Sequence, residues 1–555
     1  MSWGRAQRQW LLFFLIIAIS GCASAPRPFG GTTIAWRDHD RRPFAPRPEE
    51  RYAPEIWDAA DAMVMRPAAR MFAFDTSGES LNVNAVDEVP DSSWFANRIG
   101  LGHMTPEDVA AGVCGRAYES ASPPFRVVAG KVDGATAGFV VEDALGRRFV
   151  LKADRPSQPD QATAADAIGA AVYHAAGYHV PCNRVVFFAR EDVQLDEGAR
   201  IDLTQGEERD MTDDDLERAL EAFRGTERGL RGIASQLFDG EPLGPWDYRG
   251  TWDVDLNDVI AHEDRRELRG MVVLNAWVDH WDARQHNTLS TWREHGPDGA
   301  GHVEHHLVDF GDTFGYIEGT HRERIRFGHS QFFDTQHVFE DFVGLGMVQR
   351  PWDAAERGPT WPVLGYYDVE RFDPDQWRPN YWNGAFERRT ERDAAWMARI
   401  IARFQQEHVR AAIALGEWSD PRVPEQLERV LMGRRARILE RYLTVLSPLA
   451  APAMHEGALC LEDLAVRSGL RADAERSHHA AAVRLDGRQI GALEVSRRGP
   501  DVCVSLPAVA DYVLIRIWSR SADREATHPV DVHLAGQGGS WRIVGLERRT
   551  DGAAR

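Results

Sequence analysis

Two lysines stand close together in a chain that otherwise uses only arginine for permanent positive charge. Lys131 and Lys152 are its only lysines, so arginine supplies 63 of the 65 basic side chains. A retained lysine is best explained where a compact ammonium on a flexible stem does what the planar arginine fork cannot. Lys131 lies in a glycine-spaced segment (130–138), and Lys152 ends an apolar run (149–151). This pattern predicts strand, glycine turn and strand; the simpler alternative is that two leftover lysines fell together by chance.

The first 22 residues have the pattern of an export signal. Arg5 and Arg8 precede a short apolar run (10–19), which is followed by Ser20-Gly21-Cys22. That run is too short to span a bilayer, although an uncleaved anchor helix is the alternative. Residues 19–22 resemble the bacterial lipobox, which implies cleavage before Cys22 and a diacylglyceryl group on its sulfur. Because Ala23 stands where Asp would favour the inner membrane, we expect an exported protein anchored in the outer membrane, facing the periplasm or the surface.

Composition predicts a large folded body that does not bind nucleic acid. The chain is 43% hydrophobic, carries 18 tryptophans and has a net charge of −20. Binding to nucleic acid requires a basic face, which so acidic a chain is not expected to offer. Four cysteines remain besides Cys22, and disulfides are permitted in an exported protein. Cys460 and Cys503 share one segment and could pair, but the spacing leaves the connectivity of Cys114, Cys182, Cys460 and Cys503 open.

Changes in pattern along the chain predict an α+β protein of several parts. A signal peptide (1–21) is followed by a tether rich in Pro and Arg (22–50) and by an N-terminal extension (51–124). Strands and one helix (162–176) follow in 125–200, and 201–450 is mostly helical, with helices predicted over 202–225, 265–281, 393–415 and 426–446. Alternation of period two predicts a small β module over 455–555.

The residues with the clearest chemistry follow the predicted helix 265–281. Asp282 and Asn287 lie five positions apart, and an apolar strand then runs into Asp309-Phe310-Gly311. Each of these motifs is weak alone, because common residues recur at one spacing by accident. Their order along the chain is more specific than any one motif. It runs from a glycine turn through a strand lysine, a helix, a long gap, the Asp–Asn pair and a hairpin to Asp-Phe-Gly.

That order resembles an atypical protein-kinase-like fold, closer to its HipA-like and lipid-kinase-like branches than to ordinary protein kinases. More narrowly, several stretches resemble uncharacterised bacterial lipoproteins that have such a core: 130–138, 148–154, 176–178 with 180–181, 262–270 and 308–311. The resemblance covers residues 125–445. It implies a two-lobed body, with a β-rich N-lobe and a mostly helical C-lobe, followed by the all-β module.

The resemblance also implies roles for individual residues. Lys152 would contact nucleotide phosphates under the turn that contains Gly130, Lys131, Gly134 and Gly138. Asp166 is the helix acid best placed to pair with Lys152. Asp282 would be the catalytic base, and Asn287 with Asp309 would bind Mg²⁺. The sequence departs from the kinase pattern in its glycine spacing, in Trp281 before the base, and in Asp166, which is a methylene shorter than Glu.

These roles predict Mg²⁺-dependent phosphoryl or nucleotidyl transfer from ATP or another nucleotide to an envelope protein or saccharide. ATP is not expected to be plentiful outside the cytoplasm, so an inactive kinase-like binding or scaffold lipoprotein is the first alternative. Aromatic residues of 352–382 could then line a saccharide or peptide groove, although burial is more common for such side chains.

A second alternative is a metal-dependent phosphoesterase. Its ligands would come from the histidines and aspartates at 280, 282, 286, 305, 306, 309 and 312. Most histidines in a chain with 20 of them are expected to be ordinary hydrogen-bonded or exposed side chains.

Arg265, Arg266 and Arg269 are predicted to form a solvated helix face.

Overall fold

The computed structural model describes residues 29, 33–52, 55–70, 78–131, 138–203, 207–296, 298–315, 327–350, 361–484, 487–507, 511–521, 528–537 and 539–549. The predicted signal peptide, Cys22 and Gly134 lie outside these residues, and of Lys131 only the backbone is described. Within the described ranges, no helix is both long and apolar enough to cross a membrane. The same ranges form a mixed α+β structure with four sheets.

The first sheet is built from eight strands of the region after the N-terminal extension. They are β1 (Phe125–Lys131), β2 (Gly138–Glu142), β3 (Arg148–Lys152), β4 (Asn183–Phe188), β5 (Val193–Leu203), β6 (Glu207–Asp210), β7 (Arg224–Thr226) and β8 (Gly229–Gln236). Their order is β4-β8-β3-β2-β1-β5-β6, with β7 beside β8. Because β8 pairs with both β3 and β4, this unit continues to residue 236 and does not end at residue 200.

The acidic stretch 202–225 is not one helix, so that prediction is wrong. It holds the end of β5, then β6, the helix Asp213–Leu220 and the start of β7. Thr212 begins the helix, since its side chain accepts the N–H of Asp215 in a capping box. Leu216 and Leu220 on this short helix are buried against the first sheet, together with Phe223 after it. The acidic residues therefore crowd the first helical turn, where the helix dipole favours them.

The second sheet has three strands and carries the hairpin that leads to Asp309. It contains β9 (Glu241–Gly244), β10 (Thr288–Glu294) and β11 (Gly301–Leu307), in the order β11-β10-β9. β10 and β11 pair in register from Thr288–Leu307 to Glu294–Gly301. The hairpin thus places the start of β10 beside the end of β11, which brings the Asn287 turn near Asp309.

Most of the longer helices share one large core with the end of β11, whereas helix Thr335–Val343 buries none of its residues. The longer ones are Gln161–Ala176, Arg266–Val278, Thr335–Val343, Glu391–Ala402, Gln406–Ala414 and Val423–Ile438; shorter ones are Glu55–Ala60, Arg66–Arg70, Pro106–Ala111, Gly384–Glu387 and Leu464–Arg467. A π-helical segment (Asp61–Met65) joins the first two short helices, and another (Leu439–Leu443) extends Val423–Ile438. The helix predicted over 393–415 is two helices, because the chain breaks at Arg403 and restarts at the capping residue Gln405.

The predicted solvated arginine face of helix Arg266–Val278 is wrong. Arg265, Arg266 and Arg269 are 1%, 2% and 0% exposed. Arg266 meets the Asp87 carboxylate at 2.6 Å, and the same carboxylate meets Arg399 at 3.4 Å and Arg548 at 3.0 Å. Arg265 pairs instead with Asp258 at 3.5 Å, and Arg269 with Asp393 at 3.7 Å. A buried charge is tolerated only when it is paired and hydrogen-bonded. The N-terminal extension supplies Asp87 for this purpose from a distant part of the chain.

The C-terminal region forms the remaining two sheets. Its strands are β12 (Leu449–His455), β13 (Ala458–Asp463), β14 (Arg476–Val483), β15 (Gln489–Leu493), β16 (Val495–Arg498), β17 (Asp501–Val504), β18 (Tyr512–Ser521), β19 (Val530–Gln537) and β20 (Ser540–Arg548). They are ordered β12-β13-β17-β16 and β15-β14-β18-β19-β20. Val86 of the extension shares their core, and Arg548 reaches Asp87. These sheets therefore pack with earlier parts of the chain.

Two disulfides settle the pairing that the sequence left open. Cys460 on β13 is bonded to Cys503 on the neighbouring β17, and Cys114 is bonded to Cys182. The second bond ties the N-terminal extension to the start of β4. Residues of the predicted tether also lie on the body: Phe44 exchanges backbone hydrogen bonds with Gly301 at 2.8 and 3.1 Å, and Asp40 accepts from Ser93. The chain therefore joins the body well before residue 50.

Candidate functional site

Lys152 is the last residue of β3, and two carboxylates hold its ammonium. Its Nζ lies 3.5 Å from Asp166 Oδ2 and 3.3 Å from Asp309 Oδ2, and only 14% of the side chain is exposed. Burial lowers the pKa of a lysine, but here the two carboxylates outweigh it and raise the pKa of Lys152 above its usual value. The ammonium is therefore charged at every physiological pH.

The glycines of the predicted turn differ in what the structure places around them. Gly138 lies opposite Lys152 in the β2–β3 ladder, and Gly130 lies opposite Phe139 in the β1–β2 ladder. A Cβ at Gly138 would lie 2.3 Å from the Leu151 carbonyl oxygen, so the close approach of the two strands requires glycine. Lys131 pairs with Gly138 through its backbone. Gly134 lies outside the described residues.

Asp166 joins the strand lysine to the Asp-Phe-Gly segment. It is 2% exposed on helix Gln161–Ala176, and its Oδ1 accepts the backbone N–H of Phe310 at 2.7 Å. Burial raises the pKa of this carboxyl, while Lys152 opposes that effect. The shorter side chain reaches because the helix packs closely: a Cβ on Gly169 would lie 2.5 Å from Phe310 Cβ. The Asp166 carboxylate therefore holds both the Lys152 ammonium and the backbone of Phe310.

Asp309-Phe310-Gly311 follows β11 and is anchored by the phenylalanine. The Phe310 ring is fully buried, with its centroid 4.8 Å from that of Tyr173 and 5.6 Å from that of His280. Asp309 adopts a left-handed backbone conformation with φ of 60°, which is uncommon outside glycine. Its side chain is 41% exposed. The segment therefore presents the Asp309 carboxylate towards Lys152 and solvent while Phe310 stays in the core.

Asp282 and Asn287 form the other half of the site. Helix Arg266–Val278 ends at Asp279, which is left-handed with φ of 60°, and the chain then runs through Asp282. The Asn287 amide donates to Asp282 O at 2.7 Å and to Asp282 Oδ2 at 3.0 Å, which closes the loop on itself. This leaves the Asn287 carbonyl oxygen as the group that could bind a cation.

Burial raises the pKa of Asp282 to about 7, although Arg284 opposes the effect. The Arg284 Nε lies 3.1 Å from Asp282 Oδ1, and its guanidinium lies 5.0 Å from the Tyr381 ring centroid. Negative charge on Asp312 and Asp309 adds to the shift. A carboxyl that ionises near neutral pH is suited to accept a proton during a reaction.

Sequence reasoning missed two arginines of this region. Arg155 pairs with Asp312 at 2.7 Å, three residues beyond Asp309, and Arg284 pairs with Asp282. The position of Arg284 two residues after the predicted base was a signal that could have found it. Asp312 entered only the phosphoesterase alternative. Its pKa is raised by burial and by Asp309, while Arg155 opposes this.

The histidines of the phosphoesterase alternative lie in separate aromatic contacts. His280 packs against Tyr173 and Phe310, and burial lowers its pKa to about 4. His305 stacks on Trp94 at 3.5 Å, and His306 stacks on Phe238 at 3.9 Å. Among the described residues, no group of three or more His, Cys, Asp or Glu side chains could hold a metal ion. The described part of the chain therefore gives that alternative no metal centre.

Two of the aromatic residues considered for a saccharide or peptide groove are core residues. Tyr367 and Trp377 are 3% and 5% exposed. The Tyr367 hydroxyl donates to Trp277 O at 2.6 Å, and Trp377 Nε1 donates to Asp279 Oδ1 at 2.8 Å. They position the end of helix Arg266–Val278, and so support the loop that carries Asp282.

No protein-family model and no curated protein matches the sequence. One solved structure, the Golgi casein kinase with Mn and ADP bound, aligns with 58% of this chain and 72% of its own chain. The identity over this alignment is 9% and the TM-score is 0.26. An alignment at that score supports no inference about this chain.

Proposed function

We propose that this chain is a kinase-like enzyme that binds a nucleotide with Mg²⁺ and transfers a phosphoryl or nucleotidyl group to an acceptor in the cell envelope. In this proposal the first sheet is the N-lobe and the helices around the second sheet form the C-lobe. Cys22 carries the lipid that anchors the protein in the outer membrane, and the acceptor is an envelope protein or saccharide.

The carrying observation is that Asp166 binds Lys152 and the Phe310 N–H with one carboxylate. Residues that are far apart in sequence then meet with the chemistry that phosphoryl transfer needs, namely a fixed cation, carboxylate and amide oxygens, and a carboxyl that ionises near pH 7. A merely structural ion pair would not need Asp282 buried beside them at a cost in free energy.

The donor atoms fit a hard cation. The Asn287 side chain makes its two hydrogen bonds through the amide nitrogen, which leaves its side-chain oxygen Oδ1 for a cation. Asp309 offers a partly exposed carboxylate. Oxygen ligands of this kind suit Mg²⁺. When bound, the ion would supply neutralisation of phosphate charge. The chain itself would hold phosphate with Lys152 and take the proton of the acceptor hydroxyl on Asp282.

A nucleotide-binding scaffold without turnover is a second candidate, because Lys152 already has Asp309 as an ion-pair partner. An ammonium neutralised by its own chain can stabilise the fold without contacting phosphate. The two candidates differ in whether Asp282 matters: binding requires Lys152 and Asp309, whereas transfer also requires the base.

The test begins with calorimetric titration of residues 23–555 with ATP, GTP and ADP, with and without Mg²⁺. We expect Mg²⁺-dependent binding that Lys152→Ala and Asp309→Asn abolish and that Asp282→Asn retains. The matched control is Asp239→Ala, which removes an 88% exposed carboxylate that pairs with Arg293 outside the site. Absence of binding by every nucleotide at millimolar concentration would overturn the proposal.

Transfer is then measured with ATP labelled on the α or the γ phosphate, incubated with an envelope fraction. Label from the γ position in an acceptor indicates phosphoryl transfer, and label from the α position indicates nucleotidyl transfer. Binding without either label, unchanged by Asp282→Asn, would favour the scaffold.

A further inference from the structure

The helix Thr335–Val343 turns its apolar side to solvent. None of the nine residues of this described helix is buried. Six large apolar side chains of the helix and of the turn after it are 48% to 83% exposed. They form the apolar stripe: Val338, Phe339, Phe342, Val343, Leu345 and Met347. A surface helix normally has the reverse orientation, with its apolar side against the core, so this exposed surface indicates an interaction site.

Helical spacing brings the apolar stripe together. Val338 and Phe342 are four residues apart, as are Phe339 and Val343, so the members of each pair are neighbours on the same side of the helix. The stripe continues past the end of the helix through Leu345, which is its most exposed member at 83%. These side chains therefore form one surface, whereas single exposed apolar residues are common on any protein.

Polar contacts attach another side of the helix to the protein. Asp334, which is 4% exposed, begins the helix by accepting the N–H of His337 at 3.1 Å. Only 16% of the His337 side chain is exposed. Arg350 pairs with Asp341 at 3.0 Å and accepts no more than 12% exposure of its own side chain. These contacts fix the rotation of the helix, so the apolar stripe faces outwards because the polar side is held.

Charges beside the apolar stripe do not select a charged partner. The two carboxylates of the helix, Glu340 and Asp341, both pair with Arg350, at 3.3 and 3.0 Å. The six side chains of the stripe carry no charge. Its occupant is therefore expected to be an apolar surface, which gains free energy by removing these side chains from water.

The predicted lipid anchor places a bilayer within reach of the body. The Phe29 ring lies 4.8 Å from that of His533 on β19, and it occupies the space that a Cβ on Gly545 of β20 would need. Phe29 follows Cys22 by seven positions, so even a fully extended chain between them spans only about 25 Å. A lipid on Cys22 therefore keeps the body beside the membrane, where the local concentration of bilayer is high.

A bilayer also suits the shape of this surface better than a second copy of the chain does. Side chains that stand out from a helix require a complementary groove on a protein partner, whereas they insert among lipid headgroups without one. Three large cavities of the described residues are lined mostly by charged and polar side chains. Those cavities therefore offer no apolar groove for the stripe of another copy.

We infer that the apolar stripe inserts into the surface of a lipid bilayer and holds the body against the membrane. The choice of a bilayer as the occupant rests on the lipid anchor of the proposed function. A helix of nine residues lies in the membrane interface and does not span the membrane.

This contact brings the candidate catalytic loop to the membrane surface. Phe332 precedes the helix, and its ring lies 5.1 Å from that of Tyr381. The Arg284 guanidinium lies 5.0 Å from the Tyr381 ring and also binds Asp282. Under the proposed function, the acceptor is then a molecule carried by the membrane.

Flotation of residues 23–555 with vesicles tests the inference, because removal of Cys22 leaves only the contacts of the protein itself. The vesicles contain phosphatidylcholine and phosphatidylethanolamine, with or without phosphatidylglycerol, and nucleotide is absent. We expect binding to the vesicles without net charge. Addition of phosphatidylglycerol or of about 0.5 M NaCl should change this binding by less than about twofold, since the apolar stripe carries no charge.

The combined variant Phe339→Ser, Phe342→Ser should bind these vesicles at least about tenfold more weakly, because two phenyl rings no longer contribute apolar area. Its fold should be unchanged, since neither residue is buried. The matched control is Leu256→Ser, Val259→Ser, which removes two apolar side chains that are 66% and 79% exposed outside the stripe. Its binding should differ from that of the natural protein by less than about twofold.

Sedimentation velocity without vesicles tests a second copy as the occupant. A dimer of the natural protein that Phe339→Ser, Phe342→Ser abolishes would overturn the inference, as would absence of vesicle binding at about 1 mM lipid. Binding that requires phosphatidylglycerol, or that the combined variant retains in full, also overturns it. Because neither nucleotide nor Cys22 is present, failure of the nucleotide titration or of lipidation is separate from each of these results.

Discussion

Replacing Asp282 by alanine should change how the stability of this protein depends on pH. The Asp282 side chain is 11% exposed, and burial raises its pKa to about 7 from a reference of 3.8. A carboxyl with a raised pKa in the folded state binds its proton more tightly when folded, so its contribution to stability is complete at low pH. That contribution is lost as the pH rises through the folded pKa.

The size of the effect follows from the two pKa values. Between pH 5 and the folded pKa of about 7, Asp282 keeps its proton in the folded state but has already lost it in the unfolded state. Over the interval from pH 5 to pH 8, this difference therefore extends over nearly two pH units. At about 1.4 kcal/mol per unit, the natural protein should lose roughly 2–3 kcal/mol of unfolding free energy relative to Asp282→Ala over this interval. The packing cost of the substitution is the same at both pH values and cancels from this difference.

Urea unfolding at pH 5, 6.5 and 8, at constant ionic strength and without nucleotide, measures the difference directly. Asp239→Ala is the control, because that side chain is 88% exposed and its removal should shift stability equally at all three pH values. A free-energy difference between natural protein and Asp282→Ala that stays constant to within about 0.5 kcal/mol would refute the reasoning. The carboxyl would then be ionised throughout, and its burial would not prepare it to act as a base near neutrality.

Two further substitutions test the packing around the site and the buried ion cluster. Gly169→Ala should destabilise the protein by about 1–2 kcal/mol, since crowding of Phe310 outweighs the gain in helix propensity. Denaturant unfolding measures this change, with Gly225→Ala as the control because that glycine has open space around it. A Gly169→Ala variant as stable as the natural protein would contradict the contact with Phe310. Asp87→Ala should cost roughly 3–5 kcal/mol, because it leaves three buried arginines without their shared carboxylate. The exposed pair Asp420–Arg422 is the comparison, and its loss in Asp420→Ala should destabilise the protein far less in the same assay. Equal costs for the two would contradict the role of burial.

Local pattern was enough for several elements because their cause is local. The apolar stripe and Gly177 predicted the helix 162–176, and the structure has it at Gln161–Ala176. The apolar run before Lys152 predicted a strand, and β3 ends on that residue. The order of the motifs also located the candidate site, since hairpin β10–β11 returns the chain from Asn287 to Asp309.

Other features depended on partners that sequence does not reveal. The arginines at 265, 266 and 269 look like a solvated face until Asp258, Asp87 and Asp393 are brought against them. The first sheet extends to residue 236 only because β8 inserts between β3 and β4. Pairing of distant strands and burial of distant charges are properties of the whole fold, which local periodicity does not encode.

The sequence by itself therefore identified the residues that we propose to carry the chemistry: a rare lysine at a strand end, an Asp–Asn pair and Asp-Phe-Gly. The tertiary structure decided how they act together. The short side chain of Asp166 reaches both Lys152 and Phe310 because Gly169 lets the helix approach, and Asp282 has its pKa raised because the surrounding chain excludes water from it. Distances and desolvation arise only when all these segments are packed, which is why neither could be read from spacing along the chain.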